Sequence, residues 1–325
     1  MYDVVTFGSA TWDFFLDLED FRVIENEDFV TGEGLCFNLG SKVEIEDISF
    51  FSGGGGTNVA ATFSNQGLEV AYCGGVGKDF AGKEIVEILE ERGIVTDYVQ
   101  QFEEKVTNRS VILTSEGQER TILAYRGASE LLTEDNIPWE ALEAKWFYLA
   151  PLSGKLGRIT EQIVDYAAQN NVKVAFNPGS SQLEFEQGKM NRILEKVEVL
   201  ILNQEEAAQL TGLSYEKEQA IFKKIDRLCP GVAIMTKGAR GVVVSDGSHL
   251  YHGDPLPADI VDKTGAGDSF GSGFVTGLIE TQEIGYGIQL GVANATACLE
   301  EKGAKNGLLE SEQQFRKTKV ERESL

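Results

Sequence analysis

The sequence is poor in the residues that build histidine-based or thiol-based sites. Among 325 residues there are two histidines, His249 and His252, and both stand in one short stretch that is typical of a strand or hairpin. This scarcity argues against a histidine-containing catalytic triad or metal centre. The four cysteines lack the paired spacings of zinc sites and thioredoxin-like redox motifs, so we expect buried thiols at Cys36, Cys73, Cys229 and Cys298.

Positive charge is also scarce. The chain has 29 lysines and arginines against 52 aspartates and glutamates, which gives a formal net charge of −23. Such a field repels nucleic acid and anionic membrane surfaces, so we predict neither as a partner. It would also slow the approach of a nucleotide triphosphate. Any site for one should therefore contain a local cluster of N–H groups, lysines or a metal ion that offsets the repulsion.

Long apolar segments are absent as well. No apolar run approaches membrane-spanning length, and the N-terminus enters a strand-like stretch at residues 3–8 rather than a signal peptide. These features predict a cytoplasmic protein, because a reducing compartment would keep the four thiols free.

Strand-like apolar segments alternate with helix-like amphipathic ones through most of the chain. The strand-like segments are 4–7, 70–73, 146–149, 172–176, 199–202 and 232–235. Helical patterns at 82–92, 157–170 and 219–228 lie between some of them. This order predicts an α/β fold with a mostly parallel central sheet and helices on both of its faces.

Two regions break the alternation. Residues 14–51 and 97–125 lack long helical patterns and contain short alternating runs, such as 42–48 and 109–114. We interpret these runs as antiparallel strands outside the central sheet. The C-terminal segment 310–325 is almost entirely polar and mixed in charge, which predicts a solvated helix or a frayed end.

The most informative motif spans residues 262–270, Asp-Lys-Thr-Gly-Ala-Gly-Asp-Ser-Phe, directly before an apolar helical stretch. Its glycines allow a tight turn, and the following helix directs the positive end of its dipole at that turn. The N–H groups of Gly265, Ala266 and Gly267 could therefore stabilise phosphoryl oxygens. Asp268 could accept the proton of an acceptor hydroxyl during phosphoryl transfer. The structural alternative is that Asp268 caps the helix.

A second glycine-rich motif lies upstream at residues 52–60, Ser-Gly-Gly-Gly-Gly-Thr-Asn-Val-Ala. In this order and spacing the two motifs resemble the signatures of the PfkB, or ribokinase-like, family of carbohydrate and nucleoside kinases. The resemblance continues through 74–82, 203–206 and 236–241 and so covers nearly the whole chain. It implies a single catalytic domain, 1–325, with a ribokinase-like three-layer α/β/α fold and a small β-strand lid formed by 14–51 and 97–125.

In the resembling family the lid closes over the sugar and often supplies a dimer interface. Closure would exclude water that competes with the acceptor hydroxyl. The resemblance therefore implies a small-molecule sugar or nucleoside substrate and a homodimer through the lid. The alternative is a surface sheet with no moving part.

The resemblance also assigns roles to single residues. It places the acceptor contacts at Asp13, Gly54, Gly55 and Asn58. It places the ATP contacts at Asn203, Glu206, Thr236, Gly238 and Asn294. Glu206 would help to hold Mg²⁺, largely through water, and a monovalent cation such as K⁺ would lie near Asp262, Thr264 and Gly303.

Each of these residues also has a purely structural interpretation. Asp13 could be a cap or a surface carboxylate, Asn58 could be a cap, and Asn203 with Glu206 has the spacing of a capping box. Residues 236–241 could form a hairpin turn, and Asn294 could lie on a helix surface.

We therefore predict an ATP-dependent and Mg²⁺-dependent phosphotransferase that acts on a hydroxymethyl group of a sugar or nucleoside. One alternative is a catalytically silent sugar- or nucleotide-binding regulator of the same fold, for which loss of Asp268 would be expected. Another is a phosphomethylpyrimidine or pyridoxal kinase, which usually lacks the strand lid and the first signature.

The sequence departs from the ribokinases themselves at the acceptor site. Residues 146–152 offer no carboxylate where ribokinases place a sugar-binding glutamate, which argues against ribose. Arg109 and Arg126 stand near the lid segments and could hold an anionic acceptor.

Overall fold

The computed structural model describes residues 1–18, 22–29, 32–114 and 120–325. Parts of the predicted lid, residues 19–21, 30, 31 and 115–119, lie outside the described residues. The strands are β1 (Tyr2–Phe7), β2 (Thr11–Leu18), β3 (Arg22–Glu25), β4 (Glu33–Cys36), β5 (Ile45–Gly53), β6 (Val70–Gly77), β7 (Val99–Phe102), β8 (Asn108–Thr114), β9 (Thr121–Tyr125), β10 (Ala144–Leu149), β11 (Lys173–Phe176), β12 (Val199–Asn203), β13 (Val232–Thr236), β14 (Val242–Ser245), β15 (His249–Gly253) and β16 (Val320–Ser324).

The α-helices are α1 (Gly55–Asn65), α2 (Phe80–Glu91), α3 (Gly154–Arg158), α4 (Thr160–Gln169), α5 (Ser180–Leu183), α6 (Gln187–Leu194), α7 (Gln204–Thr211), α8 (Glu218–Ile225), α9 (Ala266–Thr281) and α10 (Ile284–Leu299). Short 3₁₀ helices cover Ala128–Leu131, Glu134–Asn136, Trp139–Ala141 and Gly238–Arg240. The helical patterns predicted at 82–92, 157–170 and 219–228 correspond to α2, to α3 with α4, and to α8.

The main sheet, as far as the described residues go, has ten strands in the order β16-β15-β14-β13-β12-β11-β10-β1-β6-β7. The strands from β13 to β7 are paired in parallel, while β14, β15 and β16 are antiparallel to their neighbours. All six predicted central strands belong to the parallel part. The predicted α/β class with a mostly parallel sheet is confirmed.

Two apolar cores lie on opposite faces of this sheet. Along β10, Trp146 and Tyr148 belong to one core and Phe147 and Leu149 to the other, as the two-residue period of a strand requires. The Tyr148 face packs against α1, α2, α9 and α10, and the Phe147 face against α4, α6, α7 and α8. The fold therefore has the predicted three layers, with helices, sheet and helices.

A separate sheet with the order β5-β2-β8-β9 corresponds to the predicted lid, and we refer to it as the lid. The pairs β2 with β5 and β8 with β9 are antiparallel, as predicted, but β2 and β8 run parallel. The prediction of purely antiparallel strands was wrong there. No hairpin joins β2 to β8, because the chain between them contains strands of the main sheet, β6 and β7. Strand β7 pairs with β6, so residues 99–102, which were predicted to belong to the lid, belong to the main sheet.

The C-terminal segment is neither a helix nor frayed at its end. Residues Val320–Ser324 form β16, which pairs antiparallel with β15 at the edge of the main sheet. Because most β16 side chains are exposed, polar composition is compatible with an edge strand, and the sequence pattern alone favoured the wrong structure.

The fold predicts which side chain fixes α9, the helix that begins at the 262–270 motif. Phe274 of α9 is fully buried between the sheet and α10, so Phe274→Ala should lower the free energy of unfolding by about 3–5 kcal/mol. Urea unfolding of the parent and the variant would measure this loss of unfolding free energy. The control Phe80→Ala removes a ring that is 70% exposed and should cost less than about 1 kcal/mol; equal losses would contradict this assignment of the core.

Candidate active site

The candidate site lies where the carboxyl ends of the parallel strands meet the N-termini of α1 and α9. Gly265 precedes α9 in a left-handed conformation, with φ of 80°. A Cβ added to it would lie 2.3 Å from the Cβ of Ala304. Both the backbone angle and the close approach therefore require glycine at this position.

Asp268 stands in the first turn of α9 and faces the start of α1. A Cβ placed on Gly55, the first residue of α1, would lie 3.6 Å from Oδ1 of Asp268. Its other oxygen, Oδ2, accepts a hydrogen bond of 2.8 Å from Nδ2 of Asn58. The predicted base is thus held between two helix N-termini, where unsatisfied N–H groups and the helix dipoles favour negative charge.

The amide of Asn58 connects Asp268 to a buried lysine. Lys305 is 5% exposed, and its Nζ donates to Oδ1 of Asn58 and to the carbonyl oxygen of Ser52, both at 2.8 Å. Burial lowers the pKa of Lys305 to about 7, and the negative charges of Asp13 and Asp268 act in the opposite direction. Burial raises the pKa of Asp268, while the Asn58 hydrogen bond and the Lys305 charge lower it in part.

Asp13 lies on β2, on the side of the lid that faces the main domain. Burial raises its pKa to about 6, against the opposing effects of Lys305 and a hydrogen bond from Ser110. A Cβ on Gly53 would overlap Oδ2 of Asp13 at 1.8 Å, so this carboxylate can occupy its place only beside a glycine. Gly54 is the next residue and begins the turn into α1.

A cavity of about 170 Å³ opens beside Asp13. It lies between the lid and the start of α9, and it is lined by Thr11, Asp13, Gly54, Ser110, Ile112, Ile122 and Thr264. The cavity therefore combines one carboxylate and three hydroxyl groups with an apolar wall, as expected for a small polyol ligand.

Asp262 links the 262–270 turn to both the lid and the segment after α10. Its Oδ1 accepts hydrogen bonds from Nη1 of Arg120 at 3.0 Å and from the backbone N–H of Thr264 at 2.9 Å. Its Oδ2 accepts from the N–H of Gly303 at 3.0 Å. Arg120 also donates to Oγ1 of Thr264 at 2.7 Å, so a lid residue contacts the turn directly.

The predicted phosphate contacts follow two neighbouring parallel strands. Asn203 and Thr236 are register partners at the ends of β12 and β13. Oδ1 of Asn203 accepts from the N–H of Glu206, and Oε2 of Glu206 accepts from the N–H of Asn203, both at 2.8 Å. Asn203 and Glu206 therefore form the capping box. That the same pair also holds Mg²⁺ stays a prediction. Gly238 is exposed in the 3₁₀ turn that follows β13.

Asn294 is fully buried rather than on a helix surface. Its Nδ2 donates to the carbonyl oxygen of Ser269 at 2.8 Å and to Oγ1 of Thr62 at 3.2 Å. Its Oδ1 accepts from the N–H of Leu309 at 2.9 Å. These bonds tie α10 to α1, α9 and the segment after α10. Contact with adenine stays a prediction.

Comparison with known proteins identifies the family. Residues 3–311 match the sequence family described as pfkB family carbohydrate kinase, which covers nearly the whole chain. The chain belongs to this family. A ribokinase of Haemophilus influenzae is 31% identical to it over 295 residues, which are 87% of this chain and 92% of that protein. A nucleoside kinase of Methanothermobacter thermautotrophicus is 22% identical over 308 residues, which are 94% of this chain and 92% of that protein.

A solved structure agrees on the fold of this pfkB family kinase. Ribokinase of Arabidopsis thaliana, complexed with ribose and ATP, is similar with a TM-score of 0.76 and 22% identity, over 95% of this chain and 96% of that one. The family match and the ribokinase relative make this protein a phosphotransferase of the carbohydrate and nucleoside kinase class, and the structural likeness confirms the predicted ribokinase-like fold.

Two residues of this candidate site were missed by sequence reasoning: Arg120, which donates to Thr264, and Lys305, which donates to Asn58. Lys305 lies 37 positions beyond Asp268 in a short polar segment, where a lysine is ordinarily solvated. Only its position in the fold shows that it is buried. Neither of the two arginines considered for an anionic acceptor is among the described residues that line the cavity: Arg109 pairs with Asp79 at 3.2 Å, and Arg126 is exposed.

The described residues contain no group of three or more histidine, cysteine, aspartate and glutamate side chains that could enclose a metal ion. Cys73, Cys229 and Cys298 are buried free thiols as predicted, but Cys36 is only partly buried. Within the same residues, no helix has the length and apolar character needed to cross a bilayer.

Two glycines of the α9 turn should respond differently to the same substitution. Gly265→Ala should lower the melting temperature by several degrees, because it combines a left-handed backbone with a clash at Ala304. Gly267→Ala should leave the melting temperature equal or higher, because an added Cβ meets no atom of the described residues within 4 Å and alanine favours helix.

The Gly267→Ala variant should nevertheless bind ATP about tenfold or more weakly, because its methyl group would occupy the space in which a phosphate approaches the N–H groups. Calorimetric unfolding and ATP titration of both variants provide the measurements. Parental ATP affinity in Gly267→Ala would show that the phosphates bind elsewhere.

Proposed function

We propose that this kinase transfers the γ-phosphoryl group of ATP to a hydroxymethyl group of a sugar or nucleoside, with Asp268 as the general base. The observation that supports this most directly is the place of the Asp268 carboxylate at the N-termini of α1 and α9. Gly55 beside it is the chain neighbour of Gly54, which lines the cavity next to Asp13. An acceptor in that cavity would lie close to Asp268.

The reaction forms a bond between the acceptor oxygen and the γ-phosphorus and breaks the bond between that phosphorus and the bridging oxygen of ADP. The hydroxyl proton moves to Asp268. Because burial raises the pKa of Asp268, its carboxylate is a stronger base than an exposed aspartate. The N–H groups of Gly265, Ala266 and Gly267 would face the phosphoryl oxygens, and closure of the lid would exclude water.

Asn203 and Glu206 would hold Mg²⁺, mainly through water. The capping contact uses only one of the two carboxylate oxygens of Glu206, which leaves Oε1 able to accept from a metal-bound water. When bound, Mg²⁺ would neutralise charge on the phosphates. Thr236, the last residue of the neighbouring strand β13, and Gly238, in the turn after it, would contact the nucleotide. K⁺ near Asp262, Thr264 and Gly303 and a cytoplasmic location also stay predictions.

A neutral acceptor fits the cavity better than a sugar phosphate or a sugar acid. The described lining residues include Asp13 and no lysine or arginine. A carboxylate that accepts hydrogen bonds from two hydroxyl groups would repel an anionic substrate at the same distance. Release of ADP from ATP and Mg²⁺ in the presence of a panel of neutral sugars, nucleosides and sugar phosphates tests both the proposed function and this preference.

Replacement of the proposed base should separate catalysis from binding. Asp268→Asn keeps the shape of the side chain but removes the proton acceptor, so kcat should fall by about 10²–10⁴-fold while ATP affinity changes little. In the parent protein, kcat/KM should fall at low pH as Asp268 becomes protonated. Since burial raises this pKa, the midpoint should lie above about 3.9, the value of an exposed aspartate.

The matched control is Asp135→Asn, an exposed aspartate far from the site in sequence, which should keep parental kinetics. Parental turnover by Asp268→Asn would remove Asp268 as the base. Lack of ADP release with every acceptor in the parent would instead contradict the proposed function.

We also propose a homodimer that forms through the outer face of the lid, the face opposite the cavity. Register places Phe50, Phe14, Val111 and Leu123 in one row across the four lid strands on this face. Phe50 and Leu123 are 48% and 57% exposed. A continuous apolar row on the solvent side of a sheet is typical of an interaction surface, and a second copy of the same flat face is the partner that fits it.

Charge on this row should prevent dimerisation. Leu123→Arg would place a cation on the outer face of each copy, so the protein should sediment as a monomer of 35.5 kDa at concentrations where the parent is a dimer. Leu39→Arg is the control, because Leu39 is fully exposed outside the lid sheet. A parent that sediments as a monomer, or a Leu123→Arg variant that remains a dimer, would contradict the proposal.

A further inference from the structure

Lys305 is a buried lysine whose contacts serve the site without reaching the cavity. It is 5% exposed and does not line the cavity beside Asp13. Its ammonium group donates at 2.8 Å to Oδ1 of Asn58 and at 2.8 Å to the carbonyl oxygen of Ser52 at the end of β5. Burying an ammonium group costs several kcal/mol unless nearby groups compensate, so the burial of Lys305 at this position needs an explanation.

The two groups that contact the Asn58 amide, Lys305 and Asp268, fix its orientation. A lysine ammonium can only donate hydrogen bonds, and an ionised carboxylate can only accept them. Lys305 therefore requires the oxygen of the Asn58 amide, which leaves the NH₂ group for Oδ2 of Asp268. With the amide reversed, its oxygen would face a carboxylate and its NH₂ group would face an ammonium.

We infer that Lys305 is a positioning residue for Asp268. By holding the oxygen of the Asn58 amide, it directs the NH₂ group to the Asp268 carboxylate, and this hydrogen bond keeps the carboxylate ionised and in a fixed orientation. The catalytic part of this inference rests on the proposed function. The positioning part rests only on the hydrogen-bond chain from Lys305 through Asn58 to Asp268.

The groups that face Asp268 come from every element packed around it. Asn58 lies on α1, Tyr148 on β10 and Cys298 on α10, while Lys305 follows α10 and is itself close to Asp13 and Arg92. Burial raises the pKa of both Tyr148 and Cys298, so neither carries charge in the acidic range. Lys305 is the positive group that lowers the Asp268 pKa, and its loss should raise that pKa.

A purely structural role makes a different prediction. If Lys305 only tied the end of β5 to the main domain through Ser52, its replacement would lower stability and leave the ionisation of Asp268 unchanged. The titration of Asp268 therefore distinguishes the two roles.

The first measurement needs no substrate. The carboxyl carbon of Asp268 is followed by NMR in aspartate-labelled protein between pH 3 and pH 8, with the Asp268→Asn variant for assignment. In Lys305→Met, which keeps an apolar chain of similar size, the midpoint should rise by about 1–3 units, since the variant loses both the cation and the oriented NH₂ donor. An unchanged midpoint in the folded variant would overturn the inference.

The second measurement is kinetic. Lys305→Met should lower kcat by roughly 10- to 100-fold, which is a smaller loss than removal of the general base itself should cause. The KM for ATP should stay within about threefold of the parent value. Its acid limb of kcat/KM should move to higher pH together with the NMR midpoint. If the parent turns over no acceptor, the proposed function is wrong, yet the NMR result still decides whether Lys305 positions Asp268.

A truncated variant covers the case in which Lys305→Met does not fold. Lys305→Ala leaves space for propylammonium, which supplies the missing chain and charge and should restore the parental Asp268 midpoint, whereas 1-propanol of similar size should not. Lys317→Gln, an exposed lysine on the same C-terminal segment, is the control that should keep parental values. Equal effects of the amine and the alcohol would overturn the inference.

Discussion

The structure around the site depends on one constraint: charged groups are removed from water at the point where two helices begin. Asp13, Asp268 and Lys305 are each placed where burial opposes their charge. An isolated ion in such a place would cost several kcal/mol, whereas a hydrogen bond to a charged group returns about 1.5–3 kcal/mol. The arrangement is tolerable because the opposite charges, the Asn58 amide and the helix N-termini are supplied together.

The same constraint explains why the lid is tied to the main domain beside the site. Arg120 pairs with Asp262, Lys302 with Asp17 at 3.0 Å, and Lys305 with the carbonyl oxygen of Ser52. In each pair one partner belongs to the lid strands or directly precedes them. The cavity lies between these contacts, so the lid face that carries Asp13 is held against the turn that carries Asp268. Because Lys305 contacts both the lid strand β5 and the Asn58 amide, the position of the lid and the electrostatics of Asp268, the proposed base, are coupled.

Much of the site could be predicted from the sequence because its motifs are local. The turn before Asp268 and the run before Asn58 each require glycines at fixed spacings, and these remain visible in the linear chain. The pair Asn203 and Glu206 shows the limit of such reasoning, since a capping box and a metal-binding pair share one spacing. The parallel pairing of β2 with β8 and the edge strand β16 could not be read, because pairing partners distant in sequence leave no periodic pattern.

By itself the sequence determined the α/β class, the central strands and the two glycine-bordered turns, because two-residue and helical periods and glycine spacing are properties of neighbouring residues. Only the tertiary structure decided that Lys305 is buried, that Gly53 makes room for Asp13, and that Arg120 reaches Asp262. Each of these depends on what lies opposite a side chain in space. An exposed lysine is a solvated surface charge, whereas a buried lysine is a fixed partner of the groups around it. Which of the two a lysine becomes is set by the packing of the whole chain.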